Sequence, residues 1–364
     1  MEGCKRLEQL PKSIGSLSCL TNLNLSHCDR LANLQIHILE QPSPLESGLQ
    51  RRKIIVHLPG EINKLSSLVN LSIDGRIHIQ LLNLIGDAEH ISCIPKQQTP
   101  DELLLSRCYV LKSLNIKRTR YNKDGSSFSC ISFSDFHSLT ELKLINLNIL
   151  TIPDDIGQLQ SLEKLDLSGN DFKSLPTSMT NLSRLKYARL SNCIKLVALP
   201  ELTQLQTLKL SGCSNLRSLL NLSHAFHERV RYGLLELGLD NCRNFKSLSY
   251  QVRQLTSLIH LDLSRHDFEE IPESIRELSS LGTLCLNNCK KIKSVKDLPE
   301  SLKHLYAHGC DSLENVSLSS NHSIEKLDLS HCFGMKQDEH LITQILNDGF
   351  SQVVCFLNNY SLVN

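Results

Sequence analysis

The sequence predicts an α/β repeat solenoid: a curved horseshoe with a parallel β-sheet on its concave side and short helical, 3-10 or irregular segments on its convex side. Three observations carry this reading. Leucine fills 70 of 364 positions, which is the mark of one packing solution used many times. Leu-x-Leu pairs recur along the chain, from Leu142 to Leu327 at steps of 23, 23, 20, 29, 24, 23, 21 and 22 residues. Most pairs have a Leu three residues before them and Cys, Asn or His three residues after.

Each part of that unit has a physical reading. In a strand, alternate side chains point to opposite faces, so Leu-x-Leu places both leucines on one face and the middle residue on the other. One such strand cannot bury its apolar face alone; stacked in parallel, many of them share one core. The spacing is that of a leucine-rich repeat, whose period is about 20–29 residues. Besides the regular set, pairs stand at Leu23/Leu25, Leu71/Ile73 and Leu103/Leu105. The stretches Pro153–Leu162 and Pro272–Leu281 carry apolar residues at three-residue steps, predicting short helical or 3-10 turns opened by proline. The solenoid is expected over 1–335, with irregular or inserted segments at about 35–57 and 75–135. A short C-terminal helical tail is expected over 336–364, with Leu341, Ile342, Ile345 and Leu346 on one face.

Charge excludes some partners. With 39 Lys and Arg against 38 Asp and Glu, the net charge of +1 creates no overall field to draw in nucleic acid or an anionic membrane. The basic runs Arg51–Lys53 and Lys117, Arg118, Arg120 and Lys123 match no recognisable nucleic-acid motif and read as solvated loops or degenerate repeats. No run approaches the roughly 20 apolar residues of a membrane span. The start, Met1–Leu10, does not read as a signal peptide.

The cysteines follow the repeat. Cys28, Cys108, Cys193, Cys213, Cys242, Cys289, Cys310 and Cys332 all occupy the slot three residues after the leucine pair, which Asn170 and His266 fill in other repeats. Residues there turn inward and serve backbone groups exposed where the chain leaves the strand. They are expected to form a structural ladder rather than disulfides; a zinc site of Cys242, His266 and Cys289 lacks any paired C-x-x-C motif. Unpaired thiols fit a reducing compartment, so the expected location is cytoplasmic or nucleo-cytoplasmic. The Asn-x-Ser sequons at Asn24, Asn70, Asn181, Asn221, Asn315, Asn321 and Asn359 then arise from composition. No cofactor or metal is expected.

Function is expected on the outward strand residues. Tyr187, Arg189 and Lys209 form one candidate protein-binding cluster; His260, Asp262, His304, Tyr306 and His308 form another. His260, Asp262 and Ser264 share a strand face, but an open sheet offers a nucleophile neither a pocket nor oxyanion donors, so no catalytic residue is assigned.

At residue level the repeats narrow to a family. LDLSGNDFKSLPTSMTNLSRL (165–185) and LDLSRHDFEEIPESIRELSSL (261–281), alternating with LKLSGCSNLRSL and LCLNNCKKIKSV, resemble the leucine-rich-repeat region of plant TIR–nucleotide-binding–LRR disease resistance proteins. LPESLKHLYAHGCDSLENV (298–316) is similar to the last repeats of that class. The resemblance implies non-enzymatic recognition in innate immunity. The implied partners are a pathogen effector or a guarded host protein, together with a nucleotide-binding domain normally in cis. It departs from the family in lacking a TIR domain, a G-x-x-x-x-G-K-[ST] phosphate loop and the jelly-roll-like domain that often follows. GCKRLEQLP at Gly3 opens mid-repeat, so the chain reads as a fragment or truncated gene product. The alternative is a stand-alone intracellular leucine-rich-repeat scaffold or adaptor in signalling. An extracellular receptor ectodomain or a ubiquitin-ligase adaptor would need a signal peptide or an F-box.

Overall fold

The computed structural model describes residues 12–28, 69–75, 110–118, 136–217, 233–244, 255–318, 324–335, 352–357 and 360–363, with a few single positions beside them. The chain divides into two compact units, the first over Met1–Phe172 and Pro176–Arg184, the second over Lys173–Leu175 and Leu185–Asn364.

In unit 1 the strands β1 (Asn22–Asn24), β2 (Asn70–Gly75), β3 (Ser113–Arg118), β4 (Glu141–Ile145) and β5 (Lys164–Asp166) pair in parallel in sequence order. β1 pairs directly with β2, and β2 directly with β3. The expected irregular segment 35–57 therefore lies in sequence between two directly paired strands, whereas the span 75–135 contains a regular strand, β3. Leu103 and Leu105 lie outside the described residues, as do Cys108 and all of the basic runs except Lys117 and Arg118 on β3.

Unit 2 repeats the scheme. β6 (Tyr187–Arg189), β7 (Thr207–Lys209), β8 (Glu236–Gly238), β9 (His260–Asp262), β10 (Thr283–Cys285), β12 (His304–Tyr306), β14 (Lys326–Asp328) and β15 (Gln352–Leu357) are parallel neighbours in that order. β11 (Ser294–Val295) and β13 (Asn315–Val316) make a separate parallel pair on the way back from the main sheet. One feature differs from expectation. The end of the tail is not helical: β15 and β16 (Tyr360–Val363) are antiparallel strands, in keeping with the β-branched and aromatic content of QVVCFL. The expected helical face at Leu341–Leu346 lies outside the described residues.

The sequence explains why the strands are so short. In the unit LxLSxC the two leucines point inward; Leu261, Leu263, Leu284 and Leu286 have no exposed surface. Burying each such side chain stabilises the fold by about 1.5–3 kcal/mol, provided its neighbours are in place. After the second leucine the chain turns. The residue before each ladder position takes a left-handed backbone: Asn192, Gly212, Asn241, Arg265, Asn288, Gly309 and His331 all have φ between 59° and 73°. Asn and Gly tolerate that region best, which accounts for their frequency at this slot.

The inward ladder is as the sequence predicts. In unit 2 the Sγ–H groups of Cys213, Cys242, Cys289, Cys310 and Cys332 donate to the carbonyls of Leu190, Leu210, Leu263, Leu286 and Ala307, at 3.0–3.3 Å. His266 Nε2 does the same for Leu239 O at 2.8 Å. Asn170 in unit 1 does more. Its amide donates to Leu144 O (2.7 Å) and Leu167 O (2.8 Å), and its Oδ1 accepts from the N–H groups of Leu147 and Ile149 at 3.1 Å. On the return path, 3-10 turns span Asp154–Gln158, Thr177–Asn181 and Glu273–Glu277, with Pro153, Pro176 and Pro272 at their N-caps. Proline costs nothing there, because its missing N–H would have had no partner.

Candidate functional site

With one strand face committed to leucine, the other is open. Every predicted site residue lies in unit 2. Tyr187 and Arg189 stand on β6, Lys209 on β7, His260 and Asp262 on β9, and His304 and Tyr306 on β12, with His308 just beyond it. Arg189 is exposed; Tyr187, Lys209, His260, Asp262, His304, Tyr306 and His308 are half-buried.

The first cluster is brought together by register: Arg189 is the direct partner of Lys209, and Tyr187 of Thr207. Two cations side by side repel, and Lys209 resolves this by leaning away. Gly238 on β8 leaves room for it: a Cβ there would stand 3.1 Å from Lys209 Cδ. The Lys209 ammonium thereby reaches Glu236 at 3.2 Å.

The second cluster is divided. β10 lies between β9 and β12, so Thr283 separates His260 from His304, and Cys285 separates Asp262 from Tyr306. Burial and the nearby Lys209 ammonium hold the His260 imidazole below its ordinary proton affinity. Burial and the Asp262 carboxylate push the Cys285 thiol up to about 12, which keeps it protonated and unreactive at neutral pH. His304 Nδ1 meets Thr283 Oγ1 at 3.2 Å and its Nε2 lies 3.6 Å from Glu325. Lys326 sits over the Tyr306 ring, 5.2 Å from its centroid. His308 Nδ1 is 2.7 Å from Ser330 Oγ, and its ring packs edge-on against His331, which in turn meets the exposed Phe333.

Asp262 has a structural task. Its Oδ1 accepts the Ser264 N–H at 2.9 Å, as Asp166 does for Ser168 and Asp328 for Ser330, each at 3.0 Å. The aspartate of LDLS thus closes an Asx-type turn where the strand ends. The signal was visible in the sequence, since that string recurs at Leu165, Leu261 and Leu327. Ser264 is buried and its Oγ accepts from Asn287 N–H at 3.1 Å. The Ser and the Asp of a Ser/His/Asp relay are therefore both engaged with backbone. Cys242, His266 and Cys289 each serve a separate carbonyl, and among the described residues no group of three or more His, Cys, Asp or Glu is placed to hold a metal ion. Sequence reasoning also passed over Glu236, Cys285 and Lys326, although they share the columns of the residues it chose.

Short parallel strands from Leu-x-Leu, an inward ladder at each exit and 3-10 turns on the return define the leucine-rich-repeat fold. Residues 91–225 match the family model described as leucine-rich repeat region. The relatives are more particular. TMV resistance protein N of Nicotiana glutinosa is 34% identical over 56% of this chain and 20% of its own length. A probable disease resistance protein of Arabidopsis thaliana is 30% identical over 98% of this chain and 18% of its own. These matches bear out the resemblance to the leucine-rich-repeat region of plant TIR–nucleotide-binding–LRR disease resistance proteins. The chain spans about one fifth of the length of the curated relatives it matches. Among solved structures, the functional domain of InlJ from Listeria monocytogenes, which includes a cysteine ladder, is 18% identical with a TM-score of 0.45, over 76% of this chain and 55% of its own.

Proposed function

We propose that this array is the protein-recognition module of a plant immune receptor, binding a pathogen effector or a guarded host protein on the open face of its sheet without catalysing a reaction. In a full-length receptor the same array would hold a nucleotide-binding domain inactive until ligand contact shifts the equilibrium. The observation that carries this reading is the similarity to plant disease resistance proteins, one of which matches over 98% of the chain. The face itself supports it. From β6 to β14 its inward positions are leucine except for Ala188 and Ala307, whereas its outward ones change identity from strand to strand, offering a distinct array of Tyr, Arg, Lys and His contacts. A cytoplasmic setting fits the ten described cysteines, none of which is joined in a disulfide. No helix among the described residues is long and apolar enough to cross a membrane.

The test is a biosensor screen of purified pathogen-secreted proteins and host proteins against the immobilised chain. A ligand so found should lose binding to the Arg189→Ala/Tyr306→Ala double variant while circular dichroism and Tm stay unchanged. Undiminished binding to a folded double variant would remove both residues from the site.

A further inference from the structure

From β6 to β14 the outward strand positions of unit 2 carry three cations, Arg189, Lys209 and Lys326, and three carboxylates, Glu236, Asp262 and Asp328, which are balanced by count but not paired in space. Its carboxylates are spent. Glu236 is paired with Lys209 at 3.2 Å, and Asp262 and Asp328 are turned onto the backbone N–H groups of Ser264 and Ser330. Two cations are left over. Arg189 is exposed, and its closest polar contact is a long one of 3.5 Å from Nε to Ser191 Oγ. Lys326 rests over the Tyr306 ring, while the neighbouring Glu325 is held by Lys303 at 2.8 Å. Among the described residues neither Arg189 nor Lys326 has a carboxylate within ion-pair distance. At the flanking positions Lys303 and Glu325 pair with each other, which leaves Lys186 and Arg265, both exposed, against Asp240.

Resting on the reading of this face as a protein-binding surface, we propose that it docks an acidic segment of its partner, anchored at Arg189 and Lys326. Arg189 shares the outward face of β6 with Tyr187, and the Lys326 ammonium stands over Tyr306, so each anchor offers a carboxylate a charged donor on a strand face that also carries an aromatic residue. From β6 to β14 the order β6-β7-β8-β9-β10-β12-β14 makes six strand steps. At about 4.8 Å per step, the anchors stand about 25–30 Å apart along the sheet. The partner therefore presents carboxylates at both ends of a stretch of about that length, which is eight or nine extended residues or five turns of helix. Exposed charges of this kind also steer the encounter, so the association is salt-sensitive.

The experiment is fluorescence anisotropy with three labelled 20-residue peptides, identical except that the charged positions are Glu, Gln or Lys, and with a short DNA duplex. The Glu peptide should bind best, lose about tenfold in the Arg189→Gln/Lys326→Gln variant, and change less than twofold in Lys303→Gln, whose charge is already spent on Glu325. Equal or better binding of the Lys peptide, lost in Tyr187→Ala/Tyr306→Ala, would overturn the acidic partner while leaving the protein-binding reading standing. Binding of the duplex as tightly as the Glu peptide, with the same loss in the double variant, would overturn it in favour of backbone phosphate. If none of the probes binds at millimolar concentration the proposal also falls, and the screen of natural proteins then decides the broader reading by itself.

Discussion

Replacing Asn170 by Ala isolates what the inward ladder contributes. The Asn170 side chain is fully buried and makes four hydrogen bonds to backbone groups of two successive repeats. Alanine can make none of them. Each of the N–H groups of Leu147 and Ile149 would be left without its side-chain acceptor, at a cost of about 1–3 kcal/mol apiece. The carbonyls facing the amide lose a donor as well. The substitution should cost about 4 kcal/mol, a large share of the ~5–15 kcal/mol that holds a typical domain together. Asn170→Cys restores the single donor that suffices in unit 2, so it should fall between wild type and Ala. Urea titration followed by far-UV circular dichroism gives all three values. If Asn170→Ala lies within 1 kcal/mol of wild type, the ladder does not satisfy the backbone as described here.

Other consequences can be checked in the same way. Leu263→Asp buries an uncompensated charge at a position with no exposed surface, and should abolish the cooperative thermal transition; a wild-type Tm would contradict the core assignment. Gly212→Ala drives a Cβ into Asn192 Oδ1 at a φ of 73°, and should cost about 1–2 kcal/mol or more, where an unchanged urea midpoint would show that the neighbour gives way freely. His266 supplies a pH dependence. Burial holds its imidazole below the ordinary value of 6.5, so as pH falls the unfolded chain takes up the proton first. Its contribution is complete above about pH 6.5 and is lost as pH drops from there towards the folded-state value. His266→Asn should therefore flatten the fall in unfolding free energy between pH 7.5 and 5.5; an identical slope would rule this out.

How much of this was legible beforehand differs between the fold and the site. The Leu-x-Leu period fixed the strands from Leu142 to Leu327, because the same two positions must be apolar in every repeat for neighbours to share a core. The cysteine ladder was equally legible, since its slot is set by where the chain turns. β15 and β16 were not, because they lie past the last repeat, where no period constrains the reading. On the open face, column membership could be read but not what each side chain does there. Asp262 and His260 look alike as candidates in sequence, yet one is turned to Ser264 and the other stays on the face. Which strands are neighbours also matters: the interposed β10 separates residues that looked like one cluster. Likewise the availability of Arg189 depends on Lys209 leaning over Gly238, a three-residue effect across two strand boundaries.

The central claim is that the leucine face serves the fold and the open face of unit 2 serves recognition. Its most direct test is photo-crosslinking of a ligand found in the biosensor screen, with benzoylphenylalanine placed singly at Arg189, Tyr306 and, on the return path, Arg276 and Lys296. Crosslinks from Arg189 and Tyr306 and none from Arg276 or Lys296 are the predicted result. Crosslinks confined to Arg276 and Lys296 would contradict it.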